Sequence, residues 1–312
     1  MRRLILATLC VAFSAASAFA AEPASCRKVR FSDVGWTDIS ATTATASLVL
    51  EALGYKPVTQ IYSIPVTYAG MKNKDVDVYL GDWEPSMVED RKPYLADKSV
   101  EVLGANLTGA KYTFAVPKYV ADAGVKDFAD LQKYPDKFQK VIYGIEPGNN
   151  ANRMILDMIQ KGEFGLSDWK LVESSEQGML TQVERAVREK KWIVFLGWAP
   201  HPMNTRYAID YLSGGDAFFG PNYGGAEVFT NIRAGYGQEC PNVVKFISQL
   251  RFTLDMENEM MGAILQGGKE PKAAAAEWLK AHPEVIVPWL QDVKTYDGGD
   301  ALGAVKGRLG SS

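Results

Sequence analysis

Two stretches of this chain set a tryptophan just past a run of strand-forming residues. Val76–Met87 reads VDVYLGDWEPSM, and Trp192–Met203 reads WIVFLGWAPHPM. In each, an apolar run is followed by a glycine, a tryptophan and a proline: Gly81, Trp83 and Pro85, then Gly197, Trp198 and Pro200. Trp36 stands in a comparable place after the apolar run Val29–Val34, and Tyr112 opens a later one. Indole and phenol faces carry negative π density, so several of them around one point make a box for a cation. A quaternary ammonium needs such a box, because it has no N–H to donate and polar groups cannot satisfy it by hydrogen bonds. Each face contributes ~0.5–1 kcal/mol when exposed and ~2 or more when desolvated. Four faces supply much of the ~8 kcal/mol of a micromolar ligand. A single aromatic is ordinarily core; three tryptophans in corresponding loops argue for a site. Trp169, Trp192, Trp278 and Trp289 fall in predicted strands or helices and are assigned to the core.

Two polar residues could read the rest of such a ligand. Asp38 lies two residues after Trp36, where it would either cap the following helix or place a negative charge beside a cation and accept a hydroxyl proton. It would oppose a ligand carrying its own carboxylate. Asn149, in the loop Pro147-Gly148-Asn149-Asn150, has the same two readings. Catalytic signatures are missing. The two histidines, His201 and His282, sit in no metal-spaced cluster, and there is no G-x-S-x-G elbow or Walker-A loop. The reading is a binding protein without metal or cofactor, not an enzyme.

The elements that must position these residues follow a strand–helix alternation. Val29–Val34, Val58–Ile64 and Val76–Leu80 read as strands, with helices at Ser40–Leu53 and Val66–Lys74 between them. The same grammar returns at Val141–Ile145, Trp169–Val172 and Trp192–Leu196, with helices at Ala151–Lys161 and Gln177–Lys190. Such alternation predicts an α/β fold with mostly parallel sheets flanked by helices, where ligands bind outside the carboxyl ends of the strands. Strands Val100–Leu103 and Tyr112–Val116 lead into a second lobe, and Val228–Ala234 leads back. The predicted division is residues 22–110 with 231–312 as one discontinuous lobe and 111–230 as the other. Phe218–Gly225 reads as loop, and the glycine-rich end, GGDALGAVKGRLGSS, as a loosely held tail. Two domains also suit the length, since a single core rarely grows past ~250–300 residues.

The first twenty residues, MRRLILATLCVAFSAASAFA, have a basic start, an apolar core and a small-x-small end. They read as a secretory signal peptide over residues 1–21, cleaved on export. Loss of Arg2 and Arg3 with it takes the formal charge from −3 to −5, and with no basic patch nucleic acid is excluded as a partner. Cys10 also leaves, and Cys26 and Cys240 are expected to pair in an oxidising compartment. Closing so long a loop stabilises by roughly 4–5 kcal/mol on the chain-entropy argument. Both cysteines fall in the discontinuous lobe, so the bridge would not lock a hinge.

The segments DVGWTDI, YLGDWEPSM, GAKYTFAVP, IEPGNNANRM and VFLGWAPHPM together resemble the periplasmic substrate-binding proteins of ABC importers for glycine betaine and related quaternary amines. Within that family the choline-binding members look most similar, and the resemblance runs over essentially the whole mature chain. It implies a two-lobed, hinge-closing fold and an aromatic box of Trp36, Trp83, Tyr112 and Trp198, with Asp38 and Asn149 holding a hydroxyl end. It further implies a periplasmic monomer that hands choline, and also acetylcholine, to a membrane permease and its ATPase. A glycine betaine or proline betaine binder is the alternative within the family. A secreted choline-ester hydrolase is the alternative outside it.

Overall fold

Alternation of apolar and polar residues builds β1 (Lys28–Asp33), in which Val29 and Phe31 are buried while Lys28 and Arg30 reach solvent. The structure, a computed structural model, describes residues 22–310. The expected signal peptide lies outside the described residues. After β1 the chain turns at Gly35, whose φ of 83° falls in the left-handed region that glycine tolerates best. Asp33 fastens the turn: its Oδ1 accepts from the Gly35 amide and its Oδ2 from the Ser40 hydroxyl, each at 2.7 Å. The helix that follows, α1 (Thr37–Ala52), is buried along most of its length, its threonines included. Small residues such as Ala41, Ala44, Ala46 and Ser47 let the helices Leu254–Leu265 and Pro271–Ala281 pack closely on it.

The remaining strands are β2 (Lys56–Ile61), β3 (Val78–Glu84), β4 (Val100–Pro117), β5 (Val141–Tyr143), β6 (Lys170–Val172), β7 (Val194–Ala199), β8 (Ile209–Tyr211) and β9 (Gly225–Arg233). Their order is β2-β1-β3-β9-β4-β7-β5-β6, with β8 paired to β4. β1 lies parallel between β2 and β3, and β5 lies parallel between β6 and β7. Between these triplets run β9 and β4, antiparallel to every strand they pair with. The parallel arrangement expected from the strand–helix alternation therefore holds inside each triplet, and two antiparallel crossing strands join them.

Four local expectations change. β4 is one strand of 18 residues, where Gly104 and Gly109 suggest a break. Both glycines have positive φ and lie where the β4–β9 register shifts, so they mark bulges that bend a continuous strand. β3 and β7 run on to Glu84 and Ala199, which puts Trp83 and Trp198 inside strands rather than beyond them. Each strand then stops at a proline, Pro85 or Pro200, which has no N–H for the ladder. The segment Phe218–Gly225 is not plain loop, since a single turn of helix occupies Asp216–Phe219 and a left-handed turn through Asn222 and Tyr223 follows it. The glycine-rich tail forms the helix Ala301–Gly310, docked through Ala301, Val305 and Leu309, which recur every four residues on one face. Cys26 and Cys240 are bridged, with Cα atoms 5.5 Å apart across 214 residues of sequence.

Candidate functional site

The carboxyl ends of β1, β3, β5 and β7 meet at one cavity. Its walls are Trp36, Asp38, Trp83, Tyr112, Ile145 and Trp198, and its empty space, open mouth included, is about 270 Å³. The four aromatic walls are all buried. Tyr112 stands between two of the indoles, 6.0 Å from Trp83 and 6.3 Å from Trp198 between ring centroids, at angles of 56° and 77°. It is held there as a direct cross-strand partner of Trp198 in the β4–β7 ladder. Glycines bring the strands in close. A Cβ at Gly81 would sit 2.8 Å from Ile39 of α1, and one at Gly197 would sit 2.7 Å from Ala115 of β4.

Trp36 occupies the N-cap position of α1, with no side-chain cap bond. Asp38 is therefore not the cap; it lies in the first turn and points at the cavity. Its Oδ2 accepts from the Trp83 indole N–H at 3.2 Å, while its Oδ1 is buried without a hydrogen-bond partner. Burial, and then the nearby Glu176 carboxylate, push Asp38 up to about 8 from its ordinary 3.8. An unpaired buried carboxylate is costly, and a cation or a hydroxyl donor in the cavity would relieve that cost. No lysine or arginine is among the lining residues.

Asn149 stands one layer back. Its Oδ1 accepts from the Tyr112 hydroxyl at 3.2 Å and from the Ala151 amide at 2.8 Å, so it caps the helix Asn150–Lys161 and positions a cage wall at once. Its Nδ2 donates to Glu146 Oε1 at 2.9 Å, and the same oxygen accepts from the Trp36 indole N–H at 3.0 Å. Burial raises Glu146 and pushes the Tyr112 phenol well above its usual range.

Sequence reasoning missed the acidic surround. Glu176 is fully buried and accepts from the Thr37 amide at 2.8 Å and the Thr37 hydroxyl at 2.7 Å. His201, whose ring lies 4.8 Å from that of Trp198, faces Glu176 Oε1 through Nε2 at 3.1 Å. Its Nδ1 accepts from the Met203 amide at 2.9 Å, which leaves Nε2 as the protonated nitrogen of a neutral ring. Glu257, on the helix Leu254–Leu265, is buried near Asp38 and raised well above its ordinary value, first by burial and then by that neighbour. Ile145 and Glu146 could have been found, since they follow β5 as Trp36 follows β1. Glu176 and Glu257 carry no such positional mark.

Residues 27–281 match the family described as the substrate-binding domain of ABC-type glycine betaine transport systems, OpuAC. The chain belongs to this family. An ABC-transporter choline-binding protein in complex with choline is 59% identical, with 92% of this chain and 100% of that one covered and a TM-score of 0.91. An unliganded, semi-closed ABC-transporter choline-binding protein is also 59% identical, over 92% and 99% of the two chains, with a TM-score of 0.85. The lactococcal OpuAC protein, closed around glycine betaine, is 29% identical over 85% and 99%, with a TM-score of 0.77. The OpuAC family comprises transport substrate-binding proteins and is not an enzyme family. The fold is accordingly the two-lobed fold of periplasmic binding proteins. No helix among the described residues is long and apolar enough to cross a membrane.

Proposed function

We propose that this protein captures choline outside the cytoplasm and presents it to an ABC permease with its ATPase. In this reading residues 22–110 and 231–310 form one lobe, residues 111–230 form the other, and β4 and β9 cross between them as the hinge. Trp36 and Trp83 belong to the first lobe and Tyr112 and Trp198 to the second, so the box is complete only when the lobes close. The trimethylammonium fills the box, and Asp38 with Asn149 behind Tyr112 serves the hydroxyl end. The protein acts as a carrier and not an enzyme. The only histidine at the site, His201, is engaged on both ring nitrogens, which leaves a hydrolase no free histidine base there.

One observation carries the choice of choline over glycine betaine. The cavity holds a buried carboxylate oxygen, Asp38 Oδ1, with no partner, and no lysine or arginine lines the walls. A cation with a hydroxyl complements that surface, whereas a betaine carboxylate would find no cationic partner among the lining residues. The 59% identity to the choline-binding protein, against 29% to the protein closed around glycine betaine, supports the same reading. Asp38→Asn tests it. A hydrogen bond to a charged group contributes ~1.5–3 kcal/mol, so choline affinity should fall roughly 10–100-fold while betaine affinity changes less. Equal losses for both ligands would reduce Asp38 to a support for Trp83.

A further inference from the structure

Helix α1 begins without a cap of its own. Trp36 holds the N-cap position and offers no side-chain acceptor, although the first amides of a helix need one. The acceptor comes from far along the chain. Glu176, 139 residues on, takes the Thr37 amide on Oε2 and the Thr37 hydroxyl on Oε1. Its negative charge thus sits at the positive end of α1, where an anion is favoured. On the other side the same carboxylate receives His201 Nε2, and His201 rests against the Trp198 indole.

We propose that Glu176 is the closure latch: it caps α1 across the cleft and so ties the start of one lobe's helix to the Trp198 wall of the other. The inference rests on the lobe division and choline reading given above. Among the described residues, three other side-chain hydrogen bonds cross the same division: Trp36 to Glu146, Arg153 to Asp90, and Asn106 to Thr230 within the crossing strands; Arg153 is exposed at the rim and its ion pair is screened by solvent. Among the described residues, Glu176 is the one side chain that makes a fully buried bond to backbone on the opposite lobe.

The latch also gives closure a dependence on ligand. In the closed form Glu176 lies close enough to Asp38 to act on it electrostatically. Without a cation, closing buries the Asp38 carboxyl beside Glu176 and makes it take up a proton, a cost that opposes closure. With a quaternary ammonium in the box that cost is offset, and the cap can form. Glu176 is a positioning residue in this scheme: it sets how long the lobes stay shut and does not line the cavity.

A glutamine cannot replace it. Placed toward the Thr37 amide, its NH₂ group meets another N–H. Placed toward Oε1, it meets His201 Nε2–H, and that ring cannot change tautomer because Nδ1 is already accepting from Met203. The test is stopped-flow tryptophan fluorescence with choline on the full mature protein, wild type against Glu176→Gln, with thermal unfolding of each in the absence of ligand. Loss of a charge-assisted bond should speed choline dissociation roughly 10–100-fold, with association changed by less than about threefold. The ligand-free melting temperature should not move, because the open cleft lets water serve both partners. Thr37→Val, which removes one hydroxyl contact, should speed dissociation about 2–10-fold, and it keeps the test open if Glu176→Gln does not fold. Unchanged dissociation in Thr37→Val and any folded Glu176→Gln overturns the latch. So does a ligand-free melting temperature that falls in step with affinity, because Glu176 would then be supporting its own lobe. If wild-type protein shows no response to choline, the choline reading itself has failed.

Discussion

The raised Asp38 makes choline binding a proton-linked event. With the cleft closed and no cation in it, its carboxyl stands at about 8, through burial and the neighbouring Glu176, so it is largely neutral at pH 6–7. A trimethylammonium in the cavity favours the ionised form and pulls that value down, so binding releases a proton. If the complex requires the carboxylate, affinity scales with the ionised fraction of the free protein. It should then be roughly 100-fold weaker at about pH 6 than at about pH 9, and nearly flat above that. Glu146, Glu176 and Glu257 face the same region, and Glu146 and Glu257 are also raised by burial. Any titration of Glu146 or Glu257 adds in the same direction. The stability of the ligand-free protein has the opposite sign. Between about 4, the unfolded value, and about 8 the fold holds a proton that the unfolded chain has lost, so stability falls as pH rises through that window. Calorimetric titration with choline in buffers of different ionisation enthalpy measures both the affinity and the proton count. Affinity that stays constant from pH 6 to pH 9 would refute the argument. So would an unaltered pH slope in Asp38→Asn, which would move the titrating proton to a neighbour.

Trp83→Ala and Trp198→Ala should each weaken choline binding by ~30-fold or more, since each removes a desolvated π face worth ~2 kcal/mol; equilibrium dialysis checks this, with circular dichroism confirming the fold. The double substitution of Cys26 and Cys240 by serine should lower the melting temperature, because the bridge spans 214 residues and removes on the order of 5 kcal/mol of unfolded-state entropy. Calorimetry on the same variant should find choline affinity unchanged where the protein is folded, since both cysteines lie in one proposed lobe; a weakened affinity would argue against that division.

The aromatic walls were legible in the sequence because their positions repeat. A strand, a glycine and a tryptophan occur twice, and the alternation of strand and helix says which strand end each tryptophan occupies. The parallel triplets were legible for the same reason. β4 was not, because glycine weakens a strand whether it ends it or bends it, and only pairing with β9 distinguishes the two. The final helix was hidden by its three glycines, whose low helix propensity is outweighed by docking of Ala301, Val305 and Leu309. Glu176 and Glu257 were the least visible part. Each looks like an ordinary surface charge in its own segment, and only folding brings both beside Asp38 and α1.

Titration of the purified mature protein with choline and with glycine betaine, followed by tryptophan fluorescence at one pH and salt concentration, tests the central claim most directly. Closure around a box of indoles should change the emission, with choline saturating at ~10-fold or more lower concentration than betaine. Betaine binding as tightly as choline, or tighter, would contradict the role given to Asp38 and return the chain to a general betaine carrier of its family.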